Sequence, residues 1–348
     1  MSGDPASATP ADEHGQRPER TAFNYAQLLE RAEQSNLPGP RKLIVAMELL
    51  AYGLADKARE LCATIPMGFE HERNRRIDFL DRVEEGEKLL AKIAGSEAPG
   101  GKDQPPVAVE PDPRGGRRLT GVLIAPQRRP VRKAVLVFGG NADRNFPISP
   151  PILDIAACHV IVLKDPSRCF GLCDIPRLGR DFDGSVARLR LILRELGAEQ
   201  VYALGFSSGG FAAMKFALAL GADGALCFST PTTLDIEDEP GKTISDYPQL
   251  SALYRKARHL GTNMAREYGA ASPHPGLILV HGEEHARDKR FAGYMSGVAG
   301  TSLVPLPGHA QHASFMEAVA RGMFPTLLDR MLALKPVTGA TPLFAAAD

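Results

Sequence analysis

Val201-Tyr202-Ala203-Leu204-Gly205-Phe206-Ser207-Ser208-Gly209-Gly210-Phe211, with the apolar run that continues to Leu220, decides how this chain is read. Val201 to Leu204 is a short apolar run of strand type, and Phe211 to Leu220 is an apolar run of helix length. Between them Gly205-Phe206-Ser207-Ser208-Gly209 fits G-x-S-x-G. A strand that turns this sharply into a helix brings backbones into close approach. That requires glycine at the flanking positions and leaves the central serine at a strained apex. Ser207 is therefore expected to project its hydroxyl at the sheet edge, where the N-terminus of the following helix directs the positive end of its dipole. Gly210 adds room for tight helix packing. The five-letter pattern alone also occurs by chance in glycine-rich loops; the strand before it and the helix after it give it weight.

Working outward, 348 residues suffice for one large core plus a smaller unit. Lysine plus arginine equals aspartate plus glutamate at 41 each, so no global field favours nucleic acid or an anionic membrane. No apolar run approaches the roughly 20 residues of a membrane span. The first twenty residues lack a charged start followed by an apolar stretch, so no secretory signal is visible and a cytoplasmic location is the default expectation. Cys62, Cys158, Cys169, Cys173 and Cys227 are an odd set scattered along the chain and read as reduced thiols. Cys169 and Cys173 are close enough to suggest a metal or redox pair, but no further cysteine cluster completes a ligand set, and no metal or cofactor is expected.

Residues 1–20, rich in Pro, Ala, Asp, Glu and Gly, are expected to be disordered. Over 21–94, apolar positions recur at steps of three and four and predict a helical unit of about four helices, the last over about Glu70 to Ile93. Ala46 to Ala58 has a faint likeness to a tetratricopeptide hairpin, although one imperfect copy makes no array. The Pro- and Gly-rich stretch 95–117 reads as a linker. From 118 to 335 strands and helices alternate, and 336–348 reads as a tail. Leu119 to Ile124 and Ala134 to Phe138 are expected to be neighbouring strands joined by a polar turn. Arg128, Arg129, Arg132 and Lys133 stand on the rim of that hairpin, without the interleaved aromatics of a base-stacking surface. A single closing helix is expected over Ser314 to Leu334. The strands are continuously apolar, so they predict a mostly parallel sheet covered by helices on both faces.

The order of elements and the serine turn together resemble the α/β-hydrolase superfamily over roughly Leu119 to Leu334. That resemblance implies an α/β-hydrolase fold preceded by the small all-α unit. It also implies a triad in the chain order Ser, acid, His, each member on a loop at the carboxyl end of a strand. A serine hydroxyl needs a base to take its proton. Two histidines follow the last strand, His309 and His312, and spacing leaves both open. Leu306-Pro307-Gly308 ahead of His312 resembles the ending of bacterial hydrolase-like chains, which favours His312. The acid is expected in His281 to Asp288, where many relatives carry an aspartate three residues after the glycine. Here that place is His285. Asp288 is the first choice, either orienting the imidazole or serving only as a helix cap. Glu284 and Glu283 come next, and Asp235 after the preceding strand is the outside candidate. For the oxyanion, the Ser208 amide is the first donor and Gly140, in Phe138-Gly139-Gly140-Asn141, the second, with Asn141 in reserve. Asp143, Arg144 and Asn145 follow this loop as candidate cleft residues.

The insertion over 230–275 stands where such enzymes carry a lid, and Tyr247, Leu250, Leu253, Tyr254, His259 and Met264 are candidates to roof an acyl pocket. Two functions fit. One is a serine hydrolase cleaving an ester, thioester or amide through an acyl-enzyme, with a small-molecule or acyl substrate. The other is a non-catalytic scaffold of the same fold whose helical unit binds a protein partner or self-associates.

Overall fold

The computed structural model of the chain describes residues 54–65, 70–94, 121–140, 157–165, 169–173, 175–242 and 262–338, together with positions 32, 33, 42, 45, 46, 49 and 155. The expected disordered start, most of the first helices, the linker 95–117, the tail from 339 and residues 243–261 lie outside them.

Seven strands form one sheet in the order β1-β3-β2-β4-β5-β6-β7. They are β1 Val122–Ala125, β2 Lys133–Phe138, β3 His159–Leu163, β4 Gln200–Phe206, β5 Gly224–Phe228, β6 Gly276–Gly282 and β7 Thr301–Leu306. All neighbouring pairs are parallel except β1 with β3, where Val122 stands opposite Leu163. The expected hairpin between β1 and β2 does not form. β2 lies between β3 and β4, with Ala134 opposite both His159 and Val201, so both its edges are taken and β1 pairs with β3 instead. A short polar connection marks a turn but does not say which strand edge is free.

The helices explain why the strands carry no alternation. Along β2, Ala134, Leu136 and Phe138 enter one core with Phe211, Met214 and Phe216. Val135 and Val137 enter the other, with Phe324, Leu327 and Met331. The first core is covered by α3 Phe182–Glu195 and α4 Ser208–Leu220. α4 is apolar on every side but for Lys215, whose ammonium pairs with Glu267, and it is buried from Ser208 to Ala217, as a helix between a sheet and other helices must be. On the opposite face, one expected closing helix is two, Ser314–Ala320 and Phe324–Leu332, separated at Gly322, whose φ of 68° ends the first.

The preceding helices are α1 Ala55–Ala63 and α2 Glu70–Ala94. α2 lies along β1. Leu90 and Ile93 join one core, and Phe79, Leu80 and Val83 the other, so the helix straddles the sheet's outer edge. An edge strand presents unpaired carbonyls, and something must satisfy them. Arg82 does so from α2: its Nε donates to Pro126 O at 2.8 Å and its Nη2 to Ala125 O at 2.9 Å. A side chain at Gly86 would meet Ile124 Cβ at 2.9 Å, so glycine permits this approach. Arg128 on the β1–β2 connection pairs with Asp78 and Glu85 of the same helix, each at 3.2 Å, and Arg177 makes a two-pronged contact with Glu87.

The insertion carries α5 Glu239–Lys242 and α6 Met264–Ala270. Met264, expected to roof a pocket, is instead fully buried in the core with Phe211 and Met214, and Tyr268 donates its hydroxyl to Met214 O at 2.8 Å. The other candidate roof residues lie outside the described residues.

Candidate active site

The serine turn follows β4 directly. Ser207 has φ 51° and ψ −124°, a conformation costly for any residue with a Cβ, and its N–H donates to Phe228 O at 2.8 Å. The glycines around it are required by contact. A Cβ on Gly205 would stand 2.6 Å from Gly210 Cα, and one on Gly209 would stand 2.7 Å from the carbonyl carbon of Gly139. The Phe138–Gly140 loop therefore packs directly on the serine turn. Ser208 opens α4, thirteen residues long, at the positive end of its dipole. Gly140 is buried on the same loop; Asn141, Asp143, Arg144 and Asn145 lie outside the described residues.

His312, on the loop between β7 and the helix that starts at Ser314, brings Nε2 to 2.8 Å from Ser207 Oγ. Its Nδ1 lies 2.9 and 2.8 Å from the two carboxylate oxygens of Asp288. A carboxylate only accepts, so Nδ1 carries the proton and Nε2 presents its lone pair to the serine hydroxyl. Asp288 stands in the first turn of α7, Ala286–Tyr294, with its side chain 1% exposed. Burial pushes its carboxyl up, but the hydrogen bond and charge of His312, the charge of His285 and a hydrogen bond from Ser229 outweigh that and hold it below the usual value. The cap of α7 is His285, whose Nδ1 accepts the Asp288 N–H at 3.2 Å, so the Asp288 carboxylate is left for His312. The same Nδ1 is 3.1 Å from Asp288 Oδ2, an ion pair only if His285 is protonated. Burial foremost, with Arg287 and His312 nearby, lowers the His285 value despite Asp288, so the neutral, capping form is the one to reason from.

The alternates are placed elsewhere. His309 is buried, with Nδ1 3.7 Å from Glu317 and its carbonyl accepting the Glu284 N–H at 3.1 Å, so it braces the loop. Glu283 and Glu284 are exposed. Asp235 is 3.6 Å from Arg266 and accepts the Glu237 N–H at 3.0 Å. His285, Asp288 and His312 bring ligand atoms within 4.8 Å of one another, a donor set suited to a transition-metal cation, yet both Nδ1 atoms are already engaged by Asp288. Cys169 and Cys173 are half-buried and not joined in a disulfide.

Three residues at the site were not singled out as site residues from the sequence: Ser229, Ser314 and, as a capping group, His285. A polar Ser229-Thr230 at the carboxyl end of an apolar strand was the available signal for the first.

What decides the fold is the strand order together with a strained serine between the central β4 and α4, and an acid and a histidine on the loops after β6 and β7. The chain has an α/β-hydrolase fold. No family model matches it, and no curated protein matches it. Among solved structures, the capsule O-acetyltransferase of Neisseria meningitidis serogroup A is 11% identical, with 67% of this chain and 98% of that one covered at a TM-score of 0.45. MenH from S. aureus is 13% identical, over 62% of this chain and 100% of that one, at 0.39. The Pyrococcus horikoshii acylaminoacyl peptidase is 12% identical, over 65% of this chain and 41% of that one, at 0.45. Likenesses this distant say nothing of chemistry; the α/β-hydrolase fold of this chain rests on its own strand order and serine turn. Among the described residues no helix is long and apolar enough to cross a membrane.

Proposed function

We propose that this protein is a serine hydrolase that cleaves an ester, thioester or amide through an acyl-enzyme on Ser207. The observation that carries the reading is the 2.8 Å separation of His312 Nε2 from Ser207 Oγ, with Asp288 bonded to the opposite ring nitrogen. As Ser207 Oγ bonds to the substrate carbonyl carbon, its proton passes to His312 Nε2. Asp288 holds the ring in the accepting tautomer and stabilises the imidazolium that forms. Negative charge gathers on the carbonyl oxygen, for which the Ser208 and Gly140 amides are the proposed donors. Collapse breaks the bond to the leaving group, which takes the proton from His312. Water then attacks the acyl-serine as His312 accepts its proton, and the acid departs with Ser207 restored.

The reach of His312 favours this reading over a scaffold that keeps only the fold. The test is a fluorophosphonate probe with mass mapping of the adduct. Wild type is expected to carry the label on Ser207, and Ser207→Ala to carry none. Equal labelling of both proteins, or of neither, defeats the proposal.

A further inference from the structure

Two histidines reach the same oxygen of Asp288. Its Oδ2 lies 2.8 Å from His312 Nδ1 and 3.1 Å from His285 Nδ1, and the Asp288 backbone N–H meets that same His285 nitrogen at 3.2 Å. The two imidazole rings stand 5.7 Å apart, centroid to centroid. One ring nitrogen cannot serve both Asp288 groups in one protonation state. Without a proton, His285 Nδ1 accepts the Asp288 N–H and turns a lone pair toward Oδ2, which repels it. With a proton, Nδ1 donates to Oδ2, and the Asp288 N–H loses its acceptor.

An acid at the third position of a helix commonly turns back to the N–H of the capping residue. That use is closed here, because the His285 N–H donates to Gly282 O at 3.2 Å. With His285 neutral, both backbone groups that would draw Asp288 back to its own helix are therefore taken, and the carboxylate stays with His312. Protonation reverses the balance. Oδ2 is then shared between two donors, so the acid holds the His312 ring less firmly and gives less charge to the imidazolium formed in the reaction. His285 is half-buried, so solvent reaches it. The charged and titratable groups facing it are Asp288 and Arg287 on its own helix, and His312 and His309 on the loop after β7.

We propose that His285 is a positioning residue that acts as a proton switch: neutral, it leaves Asp288 to His312; protonated, it draws Asp288 Oδ2 to itself and slows attack by Ser207. The proposal rests on the roles given above to Ser207, Asp288 and His312, and its test separates the two. Burial lowers His285 below the ordinary imidazole value, Asp288 opposing and Arg287 and His312 adding to it, so the switch acts below about pH 6.5.

His285→Ser keeps a strong cap for the Asp288 N–H and carries no titrating group; His285→Gly removes the side chain at small cost to the helix. Fluorophosphonate labelling rates of the full-length proteins are compared from about pH 8 to about pH 4.5, with thermal denaturation showing that each is folded. Protonation of His312 acts on wild type and His285→Ser alike and divides out of their ratio. The rate of His285→Ser relative to wild type is expected to be level above about pH 7 and to climb by up to about tenfold per pH unit below the His285 ionisation. At pH 8, His285→Gly labels more slowly than His285→Ser, which restores the acceptor. The second readout is the pair of ring-nitrogen resonances of His312 in 15N-histidine-labelled protein, identified by their loss in His312→Gln. In wild type they move at the pH where the His285 ring titrates, and in His285→Ser that movement is absent. A ratio that stays level over the whole range overturns the proposal, as does a His312 ring that does not respond when His285 titrates. A wild type that takes no label sinks the hydrolase reading instead, and the ring-nitrogen titration then decides the proposal alone.

Discussion

Asp288→Asn changes one oxygen to an amide nitrogen and nothing in the shape of the site. Asp288 stands 2.8 and 2.9 Å from His312 Nδ1 with its side chain 1% exposed, so no water can take its place. The asparagine amide has room to turn its NH2 toward Nδ1, making that nitrogen the acceptor. The proton then moves to Nε2, which faces Ser207 Oγ at 2.8 Å and can no longer take the serine proton. The imidazolium also loses its counter-charge. Together these cost about 10⁴ in rate where an aspartate of this role has been replaced by asparagine, or about 5.4 kcal/mol in the barrier. The assay is the rate of fluorophosphonate labelling followed by in-gel fluorescence, with thermal denaturation to confirm that the variant is folded. Glu284→Gln and Asp235→Asn serve as controls and are expected to label like wild type, because Glu284 is exposed and Asp235 faces Arg266 and the Glu237 N–H. A folded Asp288→Asn that labels within about tenfold of wild type would refute the assignment of the acid, and equal losses in Asp235→Asn would move it to β5.

Further outcomes follow from the same geometry. Gly209→Ala places a Cβ 2.7 Å from the Gly139 carbonyl carbon; displacing that loop is expected to cost about 1–3 kcal/mol in urea unfolding and to slow labelling. Arg82→Met keeps the packing but leaves the Ala125 and Pro126 carbonyls without their donor, an expected loss of about 1.5–3 kcal/mol in the same assay, with edge-to-edge association detectable by light scattering. Burial lowers His159, His281 and His285 below the ordinary imidazole value. Between those lowered values and about pH 6.5 the unfolded chain binds more protons than the folded one. The stability these residues contribute is complete above about pH 6.5 and falls as the pH drops through the lowered values, so the melting temperature should decline over that range, less steeply in His159→Gln. A melting temperature flat from pH 7 to 5 contradicts the burial argument.

How much of this could be read in advance differs by element. The serine turn was legible because its requirements are local: apolar strand, glycines at the close approaches, apolar helix. Asp288 and His312 were only candidates, since spacing cannot tell a carboxylate that orients an imidazole from one that caps a helix; the side chain of His285, by taking the cap, resolved that choice in space. Met264 was misassigned because an apolar residue in an insertion looks the same whether it roofs a pocket or enters the core. The sequence of β1, a polar turn and β2 looks the same in a hairpin as in the observed crossover.

By itself the sequence determined the layered α/β architecture and its serine corner, because hydrophobic period and glycine sterics act over a few neighbouring residues. Only the tertiary structure decided that β1 pairs with β3, that α2 seals the sheet edge through Arg82, and that Ser207, Asp288 and His312 meet. Those contacts join residues from 24 to 105 positions apart along the chain, such as His312 with Asp288 and with Ser207, and nothing local encodes a meeting at that separation.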